Sequence, residues 1–298
     1  MKTTIFKLVL IAAIFSFVIS GCKKADNSQS GQQAQSDTKK VKLAYVNWSE
    51  GVALTELMEY ILTDMGYEVE TTMADVAPIY AAIAGGDQDI MIETWVPVTH
   101  KSYWDKYSAD FDELGTWFDK AKIGLVVPEY MEINSIEELN SVKDSLEGKI
   151  TGIDAGAGIM VASEKAIEDY SLEYELISSS GPAMTAALKS AIDKKEPVVV
   201  TGWAPHWKFA RYDLKFLEDP KGVYGSEEQI KFICRKGFKE DSPEVATLFA
   251  NIKFDLNQIG SLMDAVSQAD GNEKEAVAKW VTENQELVDG WKAAITQE

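Results

Sequence analysis

The stretch VVVTGWAPHW, residues 198–207, joins an apolar, β-branched run to a Gly-Trp pair and a proline. This pattern predicts a buried strand that ends at an exposed rim and carries an indole there, that of Trp203. A second stretch, DIMIETWVPVTH at residues 89–100, repeats the pattern and places Trp95 108 residues earlier. Two strand ends that each present a tryptophan predict two lobes facing one cleft.

The N-terminal segment has the features of an export signal. A positively charged start precedes an apolar stretch at residues 8–19 that is too short to span a bilayer. The small residues before Cys22 resemble the end of a bacterial lipoprotein signal, which predicts a signal peptide over residues 1–21 and lipidation of Cys22. An ordinary cleaved signal with a chance cysteine is the alternative. Residues 22–40 are rich in Ser, Gln, Asp and Lys and predict a flexible tether. We therefore expect an extracytoplasmic protein, lipid-anchored to the cell membrane or its periplasmic face.

The composition argues against several classes of partner and site. A formal charge of −19 repels nucleic acid and anionic lipid, so we expect no nucleic-acid partner and membrane association only through the lipid anchor. Cys22 and Cys234 are the two cysteines, so lipidation of the first leaves no intramolecular disulfide; Cys234 lies in an apolar run that predicts a core position. Two histidines, His100 and His206, offer little for a zinc site, and we expect neither a metal nor a cofactor.

Strand and helix patterns alternate along the rest of the chain. Short connections between them predict an α/β fold in which mainly parallel sheets are flanked by helices. The alternation restarts near residue 121, and the segment beyond about residue 230 soon becomes purely helical, so we expect it to pack on the first sheet. The predicted division is lobe I at 41–123 plus 230–298 and lobe II at 124–229, with two crossing strands as a hinge.

Motifs for catalysis and nucleotide binding are weak or missing. The segment GAGIMV at residues 156–161 follows a predicted strand and opens a helix. Val161 stands where a dinucleotide turn needs a small residue, and the next predicted strand ends without an acid for a ribose. We interpret the segment as a glycine turn on the rim of the cleft. The sequence contains no P-loop, G-x-S-x-G or H-E-x-x-H motif, and it predicts a protein that is not an enzyme.

Three of the eight tryptophans follow predicted strands at their carboxyl ends: Trp48, Trp95 and Trp203. Parallel α/β sheets bind ligands at this edge. A box of indole faces suits a quaternary ammonium, which has no N–H to donate and is held by cation–π and dispersion contacts. A sugar site is the rival use of indoles, but it also needs several Asn, Asp or Arg side chains, and these loops offer few.

Seven stretches of the chain together resemble a known family, the glycine betaine and related quaternary-amine substrate-binding proteins of ABC importers, the OpuAC-like group. The resemblance covers residues 41–290, with these stretches in matching order: YVNWSEG, WVPVTH, AKIGLVVPEYM, TGIDAGAG, SSSGPAMTAAL, VVVTGWAPHW and YDLKFLEDPKG. It implies a two-lobed periplasmic-binding-protein fold of type II that closes on its ligand. It also implies an ABC permease and ATPase as partners, and we expect the binding protein itself to be a monomer.

The resemblance implies roles for individual residues. Trp95 and Trp203 are expected as walls of the ammonium cage. Gly51 and Val52 are expected to offer backbone N–H groups at a helix N-terminus to the carboxylate of a betaine. The third cage position is expected at Phe254, a weaker cation–π partner than an indole.

Several readings of the site stay open at this point. His100 and His206 are both candidates for a carboxylate contact, and a hydrogen bond within a loop is the alternative for each. Trp48 with Glu50 resembles the Trp and acid of the choline-specific branch, so choline or carnitine is an alternative to glycine betaine. A sensor lipoprotein that serves no transporter and an enzyme on the same scaffold are the alternatives from other functional classes.

Overall fold

The computed structural model describes residues 39–297. The predicted signal peptide at 1–21, the predicted lipidation site Cys22 and the tether up to residue 38 lie outside the described residues. The first strand begins at Lys40, so the last residue of the predicted tether already belongs to the sheet.

Strands and helices alternate along the described residues, as the sequence predicts. The strands are β1 (Lys40–Tyr45), β2 (Glu68–Met73), β3 (Ile90–Val96), β4 (Phe111–Pro128), β5 (Lys149–Thr151), β6 (Glu175–Ile177), β7 (Val200–Ala204), β8 (Leu214–Phe216) and β9 (Glu228–Arg235). The helices are α1 (Ser49–Asp64), α2 (Val76–Gly85), α3 (Lys101–Tyr107), α4 (Gly158–Asp169), α5 (Gly181–Lys194), α6 (Lys208–Arg211), α7 (Phe238–Asp241), α8 (Pro243–Asn251), α9 (Leu256–Ser267), α10 (Glu273–Glu283) and α11 (Gln285–Ala293). Two 3-10 helices span Ile136–Leu146 and Ala294–Gln297.

The strands join in one sheet of order β2-β1-β3-β9-β4-β7-β5-β6, with β8 paired to β4. Strand β1 is parallel to β2 and β3, and β5 is parallel to β6 and β7. The two middle strands, β9 and β4, run antiparallel to their neighbours. The sheet is therefore mixed, whereas the sequence predicts mainly parallel sheets, because the strand–helix alternation carries no signal for the direction of β4 and β9.

Strand β4 links the two parallel parts of the sheet. Its residues Phe111–Ala121 pair with β9, and its residues Lys122–Val126 pair with β7. We call β2, β1 and β3 the first half of the sheet and β7, β5 and β6 the second half. The sequence predicts only residues 121–128 as strand, because polar residues interrupt the apolar pattern before Ala121.

Two pairs of parallel strands lead to the candidate site. Strands β1 and β3 end at Tyr45 and Val96, and β5 and β7, which run opposite to β3, end at Thr151 and Ala204. Each pair has its own carboxyl edge, and residues at both edges line the candidate site. Ligands of open α/β sheets bind at the carboxyl ends of the strands.

Helices at the end of the chain pack on helix α1 and on the middle strand β4. Helices α9 and α10 pack on α1, and α8 packs on β4. Helix α9 begins at a capping box in which Asp255 and Gln258 each bond the other's backbone N–H, which fixes where the helix begins. The free cysteine of the described residues, Cys234, is buried in β9, as the sequence predicts.

Trp117 holds β4 to the core. Its indole is 1% exposed, and its N–H donates to the backbone carbonyl of Ile92 at 3.0 Å. The ring packs against Phe118, Phe232 and Phe254 at centroid distances of 6.1 to 6.2 Å.

Replacing this indole tests the core. Trp117→Ala should lower the free energy of unfolding by about 3 to 5 kcal/mol, because it removes a large buried side chain and leaves the Ile92 carbonyl without its donor. Urea unfolding measures the change. Leu256→Ala, at a side chain that is 59% exposed, is the control and should change stability by about 0.5 kcal/mol or less. Equal effects of the two substitutions would contradict this account.

Candidate functional site

Three tryptophans enclose one cavity that is lined from the carboxyl ends of both halves of the sheet. Trp48 is the N-cap residue of α1, Trp95 lies near the end of β3, and Trp203 lies near the end of β7. All three are buried, with exposures of 5%, 2% and 4%. The structure thus brings together the three tryptophans that the sequence places at strand ends.

The enclosed cavity is small, with about 20 Å³ of free space, close to the volume that one water molecule needs. Side chains and backbone from both halves of the sheet line it, together with β4: Trp48, Glu50, Trp95, Thr99, Ile123, Ile153, Ala157, Gly158, Ile159 and Trp203. No lysine or arginine of the described residues belongs to this lining.

Two indole–carboxylate hydrogen bonds cross from one half of the sheet to the other. The Trp203 N–H, from the second half, donates to Glu50 Oε2 in α1 at 2.8 Å. The Trp48 N–H, next to α1, donates to Asp154 Oδ1 after β5 at 3.1 Å. Glu50, from the first half, therefore orients the indole of Trp203, and Asp154, from the second half, orients the indole of Trp48.

Buried polar atoms that make no hydrogen bond within residues 39–297 are concentrated here. Those at or next to the cavity are Glu50 Oε1, Glu93 Oε2, Trp95 Nε1, His100 Nε2, Asp154 Oδ2 and Lys208 Nζ. Native proteins satisfy nearly all buried polar groups, so such a cluster is typical of a functional site.

Three carboxyl groups surround the cavity and all are held towards the protonated form. Burial raises the pKa of Glu50 to about 7, against opposing effects of the Trp203 hydrogen bond and the Lys208 charge. Burial, reinforced by Glu50, raises the pKa of Glu93 well above its ordinary value. Burial also raises the pKa of Asp154, although the Trp48 N–H acts in the opposite direction. Glu93 lies directly against Gly51, where any side chain would collide with its carboxyl group.

The N-terminus of α4 reaches the cavity through Ala157, Gly158 and Ile159. Ala157 is the N-cap and has no side chain that can accept the Gly158 or Ile159 N–H. A helix N-terminus favours a negative group. The sequence predicts a glycine turn on the rim of the cleft here but no anion contact; the uncapped start of a helix after a strand was the available signal for one.

His100 lies behind the cavity. Its Nδ1 accepts the Trp95 backbone N–H at 3.1 Å, so the neutral ring carries its proton on Nε2. Burial lowers the pKa of His100 to about 3, which keeps the ring neutral. The ring centroid is 5.8 Å from that of Trp48, so a buried N–H donor lies beside the cage.

Other residues that the sequence assigns to the site lie elsewhere. Phe254 is 7% exposed and packs against Trp117 and Trp291, in the core under the C-terminal helices. The Val52 N–H donates to the Trp48 carbonyl at 2.9 Å and so belongs to the α1 hydrogen-bond ladder. Phe254 and Val52 therefore do not line the cavity, whereas Trp48 does, and the N-termini of both α1 and α4 border it.

Residues 39–283 match a protein family described as the substrate binding domain of the ABC-type glycine betaine transport system. The chain belongs to this family. A relative from Listeria monocytogenes, the glycine betaine/carnitine transport binding protein GbuC, is 47% identical over 150 residues. That alignment spans 49% of this chain and 49% of the relative, so the chain matches about half the length of that protein.

Two solved structures of the family are similar along nearly their whole length. Lactococcal OpuAC, in its closed-liganded conformation with glycine betaine, is 40% identical with a TM-score of 0.79 and 85% and 99% of the two chains covered. The glycine betaine, L-proline ABC transporter binding protein ProX from Borrelia burgdorferi is 35% identical with a TM-score of 0.82 and 87% and 99% covered. The fold is thus the type II periplasmic-binding-protein fold that the sequence predicts.

Residues 39–297 contain no group of three or more His, Cys, Asp or Glu side chains arranged to hold a metal ion. None of their helices is both long and apolar enough to cross a bilayer.

Lys208, at the start of α6, is completely buried, and burial lowers its pKa to about 7 from an ordinary 10.5. Between pH 7 and 10 the unfolded chain keeps this proton and the folded chain does not, so the Lys208 contribution to stability rises with pH.

Lys208→Met should therefore stabilise the protein most at pH 7 and below, with a gain that shrinks towards pH 10 by up to about 5 kcal/mol. Urea unfolding of both proteins at pH 6, 8 and 10 measures the difference. A stability difference that does not change with pH would show that Lys208 keeps its proton in the folded state.

Proposed function

We propose that this protein captures a small quaternary ammonium compound outside the cytoplasm and delivers it to an ABC permease, with glycine betaine as its ligand. The observation that carries this proposal is the cavity enclosed by the indoles of Trp48, Trp95 and Trp203. The family, and the glycine betaine named for GbuC, OpuAC and ProX, support the choice of ligand. The protein binds this ligand and leaves it chemically unchanged.

The three indoles suit the trimethylammonium group. Such a group has no N–H, so cation–π and dispersion contacts hold it. Each desolvated indole face contributes about 1 to 2 kcal/mol. Three faces, together with contacts to the carboxylate, approach the roughly 8 kcal/mol of a micromolar complex.

The donors around the cavity suit the carboxylate of a betaine. Gly158 and Ile159 present first-turn N–H groups of α4, and His100 holds a proton on Nε2. All three donors are neutral. They can bind a carboxylate without adding a positive charge that would repel the ammonium group of the same ligand.

Choline is the second candidate, and one observation favours it. Glu50 lines the cavity, and its Oε1 makes no hydrogen bond within the described residues. An ionised Glu50 would favour a ligand with a net positive charge. Its pKa of about 7 leaves it largely protonated in mildly acidic solution, which favours the zwitterion there.

We also propose that the protein acts as a monomer with two lobes. Lobe I comprises residues 41–123 plus 230–298, and lobe II comprises residues 124–229. Strand β4, which pairs with β9 along its first part and with β7 along its last part, serves as one of the two hinge strands. An ABC permease and its ATPase are the partners; a sensor of the same fold without a transporter is the alternative.

The sequence before the folded part supports a lipid anchor. Small residues precede Cys22 after an apolar stretch, and a polar segment separates it from β1. We propose that Cys22 carries lipid and that residues 23–39 tether the binding protein to the membrane.

Isothermal titration of residues 39–298 with glycine betaine, proline betaine, carnitine, choline and a sugar tests the ligand class. We expect glycine betaine to bind in the micromolar range or tighter and the sugar not to bind. Trp203→Ala should weaken binding at least tenfold, about 1.4 kcal/mol, because it removes one wall of the cage.

Phe254→Ala is the matched control, since it removes a buried ring that does not line the cavity. It should lower stability while changing affinity by less than about twofold at a temperature where the protein is folded. Equal affinities of wild type and Trp203→Ala, or the absence of binding by every amine, would refute the cage. Chromatography of the recovered ligand checks that it is unchanged.

The anchor has its own test. Expression of the full chain in a bacterium, followed by fractionation, should recover it with membranes, and Cys22→Ser should release it because the acceptor thiol is lost. Cys234→Ser is the control and should stay with the membrane fraction. Release of the unmodified chain in the soluble fraction would show that Cys22 carries no lipid.

A further inference from the structure

A buried lysine lies directly behind one wall of the cage. Lys208 Nζ is 4.2 Å from the ring centroid of Trp203 and 5.3 Å from that of Phe209. The side chain is completely buried, and its Nζ makes no hydrogen bond to another described residue. Buried lysines are rare unless they are paired, so this arrangement requires an explanation.

Lys208 does not line the cavity, whereas Trp203 does. The indole thus separates the ammonium of Lys208 from the ligand. A ligand cation held by the same ring lies within about 6 Å of its centroid. The two positive charges are then within roughly 10 Å of each other, and buried charges are screened much less than exposed ones.

The charged and titratable groups around Lys208 do not cancel the repulsion between its ammonium group and a ligand cation. Glu50 from α1 is its partner across Trp203, and burial keeps that carboxyl group partly protonated. His206, in the segment after β7, accepts the Lys208 backbone N–H on Nδ1, and its pKa is lowered well below the ordinary value by burial, so it stays neutral. Arg211, on the same helix, stacks on Trp207 and is paired with Asp264 at 2.6 Å, so its charge is largely offset.

We infer that Lys208 is a specificity-determining residue that discriminates against ligands with a net positive charge. This inference rests on the proposed function and deepens it. The Lys208 ammonium on the back of Trp203 repels a free quaternary cation such as choline. A zwitterion such as glycine betaine carries its own carboxylate, bound near α4, and its net charge is zero, so the repulsion is smaller.

The test compares two ligands that share the trimethylammonium group and differ in net charge. Affinities for choline and glycine betaine are measured by titration calorimetry at pH 6, where Lys208 is protonated, in the wild type and in Lys208→Met. Methionine has a similar length and suits a buried position, so the variant should fold. We expect the ratio of choline affinity to betaine affinity to rise about tenfold in Lys208→Met, equivalent to about 1.4 kcal/mol.

Lys221→Met is the matched control. Lys221 Nζ lies 4.7 Å from the ring centroid of Tyr170, away from the cavity lining, so its loss changes the total charge equally. This variant should keep the wild-type ratio. At pH 9, where the wild-type lysine is largely neutral, the ratios of wild type and Lys208→Met should converge.

The outcomes separate the inference from the function on which it rests. A raised ratio at pH 6 that is absent from Lys221→Met supports the role of Lys208. An unchanged ratio in Lys208→Met, with betaine still bound, overturns that role and leaves the proposed function intact. If the wild type binds neither ligand, the proposed function fails and the inference fails with it.

Discussion

The hydrogen bonds from Trp203 to Glu50 and from Trp48 to Asp154 are the interactions on which the site depends. In each, an indole of one half of the sheet donates to a carboxyl group of the other half. The orientation of two cage walls is therefore set only when the halves lie together. In the proposed binding protein, a ligand that fits between these walls would stabilise the arrangement in which the two halves lie together.

The loop after β3 makes a third set of contacts beside the cavity, which Thr99 of this loop lines. Glu228, at the start of β9, accepts the backbone N–H groups of Val98 and Thr99 at 2.7 and 2.8 Å. Thr99 lies so close to Gly158 that a side chain at position 158 would collide with the backbone carbonyl group of Thr99. A central antiparallel strand thus fixes a loop that meets the N-terminus of α4. Gly158 therefore allows the loop after β3 and the N-terminus of α4 to approach each other closely.

The sequence predicts those features that depend on local chemistry. Apolar runs ended by turn residues predict strands that end near Trp95 and Trp203, and each strand ends one residue after its tryptophan. The predicted exposure of the rim is wrong, because both indoles are buried. The direction of β9 and the role of Phe254 depend on contacts between distant segments. Phe254 resembles a cage residue by its place in the chain, but the helices after it enclose its ring with Trp291. The spacing of apolar residues does not show whether a buried ring packs in the core or lines a ligand cavity.

The charges around the cavity explain why a stable protein keeps so many unsatisfied polar atoms together. Glu50, Glu93 and Asp154 are held towards their neutral forms by burial, and the pKa of Lys208 is lowered for the same reason. Neutral groups cost less to bury than ions, so the site tolerates four of them without a full set of partners. The net charge of the walls then depends on protonation near neutral pH. In such a site the preference between a cation and a zwitterion is decided by one or two protons behind the indoles, and the indoles themselves, which bind the ammonium group common to both ligands, cannot make that distinction.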